Sequence, residues 1–106
     1  DAERKGGESY MLLRATEGLG PAAGTLPAVQ DKLVPLTLEQ PGFRHLYTGR
    51  DEAEPSRGIA VSIFTNRSTA TAAHAQVAAT MAQHRDIWPQ SPKVLLAGEV
   101  IVAALA

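Results

Sequence analysis

The chain reads as one α+β domain of order βαββαβ that pairs with a second copy of itself, on three observations. The run from Leu33 to Phe64 holds an apolar helix ending in Val34-Pro35-Leu36, a Gln40-Pro41-Gly42-Phe43 corner and two alternating strands. A strand-like segment precedes this run, and a helical segment and a strand follow it. The last segment, Val94 to Leu105, is apolar at nearly every position, and a strand without alternation is usually buried on both sides. Two helices cover one face of a four-stranded antiparallel sheet, so the second face calls for a second subunit. The 106 residues suffice for one core and lie near the size at which burying further surface against a partner helps appreciably.

Taken in order, Asp1 to Glu8 is polar, contains Gly6-Gly7 and starts without Met, so it reads as a trimmed or flexible lead to a single domain over 9–106. Ser9 to Thr16 is strand-like, with Tyr10, Leu12, Arg14 and Thr16 on one face and Met11, Leu13 and Ala15 on the other. Gly18 to Gly24 is a loop, after which Thr25 suits an N-cap with Pro27 in the first helical turn. The stripe Leu26, Val29, Leu33, Leu36 has the helical period, and Pro35 inside it predicts a kinked or bent final turn.

Pro41-Gly42 stops that helix, and the next strand alternates Phe43, His45, Tyr47 against Arg44, Leu46, Thr48. Gly49 to Arg57 is a charged hairpin loop, and Gly58 to Thr65 returns antiparallel as the third strand. Ser68 suits the cap of an Ala-rich helix running to about Arg85, with Ala70, His74, Val77, Ala78 and Met81 on one face. Asp86 to Lys93 is a turn-rich connector in which Trp88 plugs the end of the helical layer, and Val94 to Leu105 is the final strand.

Ten basic and eleven acidic residues give a net charge of -1, with no electrostatic footprint for nucleic acid or an anionic membrane. The third strand also lacks the exposed aromatic pair that an RNA-binding sheet uses to stack bases. Without cysteine there are no disulfides, thiolate metal sites or Cys nucleophiles, which fits a reducing compartment; with no signal peptide visible, a cytoplasmic location is expected. No apolar stretch approaches the roughly 20 residues of a membrane helix. Ser62 and Ser68 have no His-Asp arrangement to activate them, and Gly18-Leu19-Gly20 lacks the rest of a phosphate-binding glycine motif.

The helix with Val34-Pro35-Leu36, the Gln40-Pro41-Gly42-Phe43 corner, the hairpin, and Ile63-Phe64-Thr65-Asn66-Arg67-Ser68 entering a helix with His74 resemble the dimeric α+β barrel superfamily, in particular the antibiotic biosynthesis monooxygenase-like domains. The likeness spans about Tyr10 to Leu105. It implies a ferredoxin-like protomer, two sheets paired face to face into a barrel, and a pocket between sheet and helices. The chain departs from the family in having Phe64-Thr65 where a Trp commonly ends the third strand, and in lacking an Asn on the first strand. In the haem-degrading branch a helical His similar to His74 ligates iron, and His74 lies ten residues after Phe64, the spacing of that branch's Trp and His.

The candidate catalytic residues are His45, His74 and Arg14, with Tyr47, Phe64 and Tyr10 as candidate substrate contacts. His74 sits on the apolar face of its helix, where a core histidine bonded to a carbonyl is the commoner outcome. His84 lies about 80° around the helix from His74, so the pair does not chelate, and no metal is expected. Arg14 and His45 stand on alternating strands among apolar residues: both could line one pocket, or Arg14 could pair with Glu99 on the last strand or sit at the dimer seam.

Two function classes follow. The first is a cofactor-independent monooxygenase-like enzyme, using no metal or flavin, in which oxygen reacts with the carbanion of a small aromatic or polyketide-type substrate held by these residues. The second is a non-catalytic homodimer serving as a small-ligand-binding or assembly module. Haem binding or degradation is a third.

Overall fold

The computed structural model of the protein describes residues 9–101 and residue 104. The expected lead and positions 102, 103 and 105 of the expected last strand lie outside the described residues.

The strands are β1 (Tyr10–Thr16), β2 (Phe43–Arg50), β3 (Gly58–Phe64) and β4 (Lys93–Glu99). They form one four-stranded sheet in the order β2-β3-β1-β4, antiparallel at every pairing. With helices between β1 and β2 and between β3 and β4, this is the expected α+β, ferredoxin-like sandwich.

The first helical region begins earlier than Thr25. It comprises α1 (Ala22–Ala28), a π-helical turn (Val29–Leu33) and α2 (Val34–Leu38). Pro21 is the N-cap, while Thr25 lies inside α1, buried, with its hydroxyl donating to the Gly20 carbonyl at 3.3 Å. Pro35 has no N–H for the ladder and its ring crowds the carbonyl four residues back. The ladder widens just before it: the Val34 N–H donates to Val29, five residues back, so the helical run passes through the proline instead of stopping.

The Gly42 corner is set by geometry. Its φ is +76°, a left-handed conformation, and a Cβ there would stand 2.5 Å from Thr65 Oγ1 and 2.8 Å from Thr69 Oγ1. The second long helix, α3 (Arg67–Ala82), is capped by Asn66 rather than Ser68: the Asn66 side chain accepts from the Thr69 N–H at 2.9 Å, and the Thr69 hydroxyl lies back near the Asn66 N–H. Ala70, Ala73, Val77 and Met81 form its buried stripe, and the alanines let the helix lie close to the sheet.

Residues opposite one another in the register share a face. Leu12, Arg14, Ala60, Ser62 and Phe64 lie on the helix-covered face, where Leu12 and Phe64 pack with Ala70 and Ala73. A second core cluster gathers Ala28, Val77, Met81 and Trp88, with Leu33 and Leu36 against it. Met11, Leu13, Val61, Ile63, Tyr47 and Leu96 lie on the opposite face, which no element of the described chain covers. β4 is an edge strand, so within one chain its apolar residues are open, Leu96 at 68% exposure, rather than buried on both sides.

Candidate functional site

A cavity of about 300 Å³ lies between the sheet and the helices. Its floor is Arg14, Leu46, Thr48 and Ala60; its walls are Val29, Leu33 and Thr37 on one side and Val77, Met81 and Trp88 on the other. At this end of the sheet Gly49, opposite Ile59, and Gly58, opposite Arg50, put no side chain into the space. Most of the lining is apolar. Among the described residues its charged lining is Arg14 and Arg50, with no carboxylate.

Arg14 is 7% exposed, and its Nε is buried without a hydrogen-bond partner. Among the described residues no carboxylate pairs with it. Glu99 is opposite Tyr10 and Arg14 is opposite Val94, so the expected Arg14–Glu99 bridge would have to span four residues of strand, about 13 Å. Burial pushes the guanidinium pKa below its ordinary value, although arginine stays charged. Arg50, at the mouth, is engaged by the Pro55 carbonyl.

Two further buried polar atoms on this side of the sheet have no partner, Ser62 Oγ and His74 Nδ1. Ser62 lies diagonally from Arg14 on the same face, since Ser62 opposes Leu12 and Ala60 opposes Arg14. His74, half-buried on α3, is held below its ordinary pKa by burial first and by the Arg14 charge second. It is therefore a neutral imidazole at pH 7, beside the cavity but not in its wall.

The remaining candidates fall elsewhere. β2 is bulged at Arg44, with Phe43 opposite Phe64 and His45 opposite Ile63. The bulge turns Phe43 to the helix side, ring against ring with Phe64 at 5.9 Å and 72°, and leaves His45 and Tyr47 on the open face. His45 thus does not share a pocket with Arg14, and Tyr47 is 67% exposed. Phe64, 2% exposed, is core and not cavity lining. Tyr10 lines a separate pocket of about 340 Å³ with Ser9, Asn66, Arg67 and Glu99, the Arg67 guanidinium lying 5.9 Å from its ring centre.

Sequence reasoning missed Thr37, Thr48, Met81 and Arg50 as lining residues. Thr37 carried a usable signal: it lies four residues after Leu33 on the apolar side of the helix, and its hydroxyl donates to the Leu33 carbonyl at 2.8 Å. Among the described residues no cluster of His, Asp or Glu could hold a metal ion. The site does not fit a haem, because the one helical histidine near it stands outside the cavity wall.

No protein-family model and no curated protein matches the chain. Solved structures do. The chain is similar to a point mutant of SnoaB, a cofactor-independent oxygenase from Streptomyces nogalater, at 13% identity over 92% of this chain and 96% of that one, with a TM-score of 0.63. It is similar to a structure assigned to the antibiotic biosynthesis monooxygenases from Bordetella bronchiseptica, at 13% identity over 90% and 99% of the two chains, with a TM-score of 0.66. A protein of unknown function from Nitrosomonas europaea, NE2512, shares 20% identity over 92% and 94%, with a TM-score of 0.66. The chain has the fold of the antibiotic biosynthesis monooxygenase structures.

Proposed function

We propose that this chain is a monooxygenase-like protein that takes a small aromatic or polyketide-type substrate into the sheet–helix cavity and works as a homodimer without metal, flavin or haem. The observation that carries the reading is an apolar cavity with the buried Arg14 on its floor, its Nε without a hydrogen-bond partner and no carboxylate against it among the described residues. A weakly acidic carbon between two rings loses its proton readily when the resulting enolate is held by a fixed cation in a dry site. The carbanion gives its electrons to oxygen, a hydroperoxide forms at that carbon, and loss of water leaves a ketone: one CH2 and one O2 become one C=O and one H2O. Arg14 is the enolate holder in this scheme, and neutral His74 is the nearest imidazole able to accept the proton. The fold shared with a cofactor-independent oxygenase supports the reaction class.

The dimer is supported by the open sheet face, where Met11, Val61, Ile63 and Leu96 form an apolar surface that none of the described residues covers. One observation favours the non-catalytic alternative: among the described residues that line the cavity there is no histidine, aspartate, glutamate, lysine or tyrosine to act as a base. Oxygen uptake decides between them. Anthrone-like substrates, which carry the CH2 that the step oxidises, should be consumed without added metal, flavin or haem and with uptake of one O2 per turnover, and Arg14→Met should slow this by about 100-fold or more. A broad panel with no uptake above buffer retires the enzyme and leaves the ligand-binding dimer.

A further inference from the structure

Taking the cavity as the ligand site, we propose that its preferred occupant is an organic anion: an apolar ring body bearing one carboxylate, with the carboxylate held by Arg14. A buried charge is costly unless it is paired, and Arg14 is buried with Nε unmatched and no carboxylate against it among the described residues. An incoming anion, a carboxylate or the enolate of the proposed reaction, cancels that deficit, whereas an amide or a quinone, which stays neutral, leaves it in place.

The wall chemistry agrees on both halves of such a molecule. Around Arg14 the surfaces of Leu33, Leu46, Val77 and Met81 suit a hydrocarbon body, and the lining holds two guanidinium groups with nothing negative to compete for them. Arg50 is only half-buried and keeps access to water, so Arg14 is the desolvated cation that a ligand would satisfy. Its planar fork matches the two oxygens of a carboxylate.

The test compares two ligands of one shape, naphthoate and naphthamide, by titration calorimetry on the full chain at low salt. Naphthoate is expected to bind at least about tenfold more tightly than naphthamide. Arg14→Met should erase that preference while naphthamide still binds, and Arg50→Gln should preserve it. Circular dichroism reports whether Arg14→Met is folded, and if it is not, the wild-type comparison together with Arg50→Gln decides. Equal affinities in the wild type overturn the proposal and leave the cavity reading standing. A preference that survives Arg14→Met, or is lost in Arg50→Gln, overturns the assignment to Arg14. Binding of neither probe overturns both the proposal and the cavity as a ring-binding site.

Discussion

Replacing Gly42 by alanine should destabilise the protein through two separable effects, while the same change at Gly24 should do the opposite. At Gly42 the backbone has φ +76°, where a β-carbon costs about 1–2 kcal/mol. The new methyl would also stand 2.5 Å from Thr65 Oγ1 and 2.8 Å from Thr69 Oγ1, so one of these hydroxyls must move. Thr69 is the reciprocal partner of Asn66 in the cap of α3, and losing that cap costs about 1 kcal/mol. The sum is about 2–3 kcal/mol, which for a domain of this size lowers the melting temperature by about 10–20 °C. Gly24 lies in α1 with ordinary φ and nothing within 4 Å of a built β-carbon, so Gly24→Ala should gain about 0.5–1 kcal/mol of helix propensity. The double change Gly42→Ala with Thr65→Ala removes the closest clash and should recover part of the loss, leaving the backbone strain. Melting curves followed by far-ultraviolet circular dichroism measure all four proteins. A Gly42→Ala variant that melts within about 2 °C of wild type would refute the corner's role.

The open sheet face should hold two copies together, so Val61→Asp, a charge between Leu13 and Tyr47, should convert a dimer to monomer or aggregate in sedimentation. A wild-type chain that sediments as a well-folded monomer at micromolar concentration rules out the pairing. His74 should make stability fall with acid. Its folded pKa is below the ordinary 6.5, so below about pH 6.5 the unfolded chain binds the extra proton, and stability drops until the folded pKa is passed. His74→Gln should remove that component, so the melting temperature of wild type relative to the variant should decline from about pH 7.5 to about pH 5. A pH-independent difference would mean that His74 titrates as if it were in water.

Local chemistry was enough to place the elements. Alternation marks a strand and the 3.6-residue period a helix from neighbours alone, so β1, β2, β3 and the Val77 face of α3 were legible in the chain. Pro41-Gly42 marked its own corner, because only a residue without a β-carbon fits the left-handed turn between Thr65 and Thr69. The composition of the site was partly legible too: an arginine on an apolar strand is costly wherever it is buried, so Arg14 stood out before its surroundings were known. What those residues meet was decided by pairings between segments far apart in sequence. One bulged residue, Arg44, sends Phe43 and His45 to opposite faces, and a period-2 strand has no way to announce such a shift. The order β2-β3-β1-β4 leaves β4 an exposed edge, and the register puts Glu99 beside Tyr10, out of reach of Arg14. The π turn before Pro35 lets one helical run carry Val29, Leu33 and Thr37 across the cavity, a widening of the ladder that the expected kink at Pro35 did not specify. Sequence supplied the charge of Arg14, and only the packing of the sheet against its helices buried it beside an apolar space, with no carboxylate against it among the described residues.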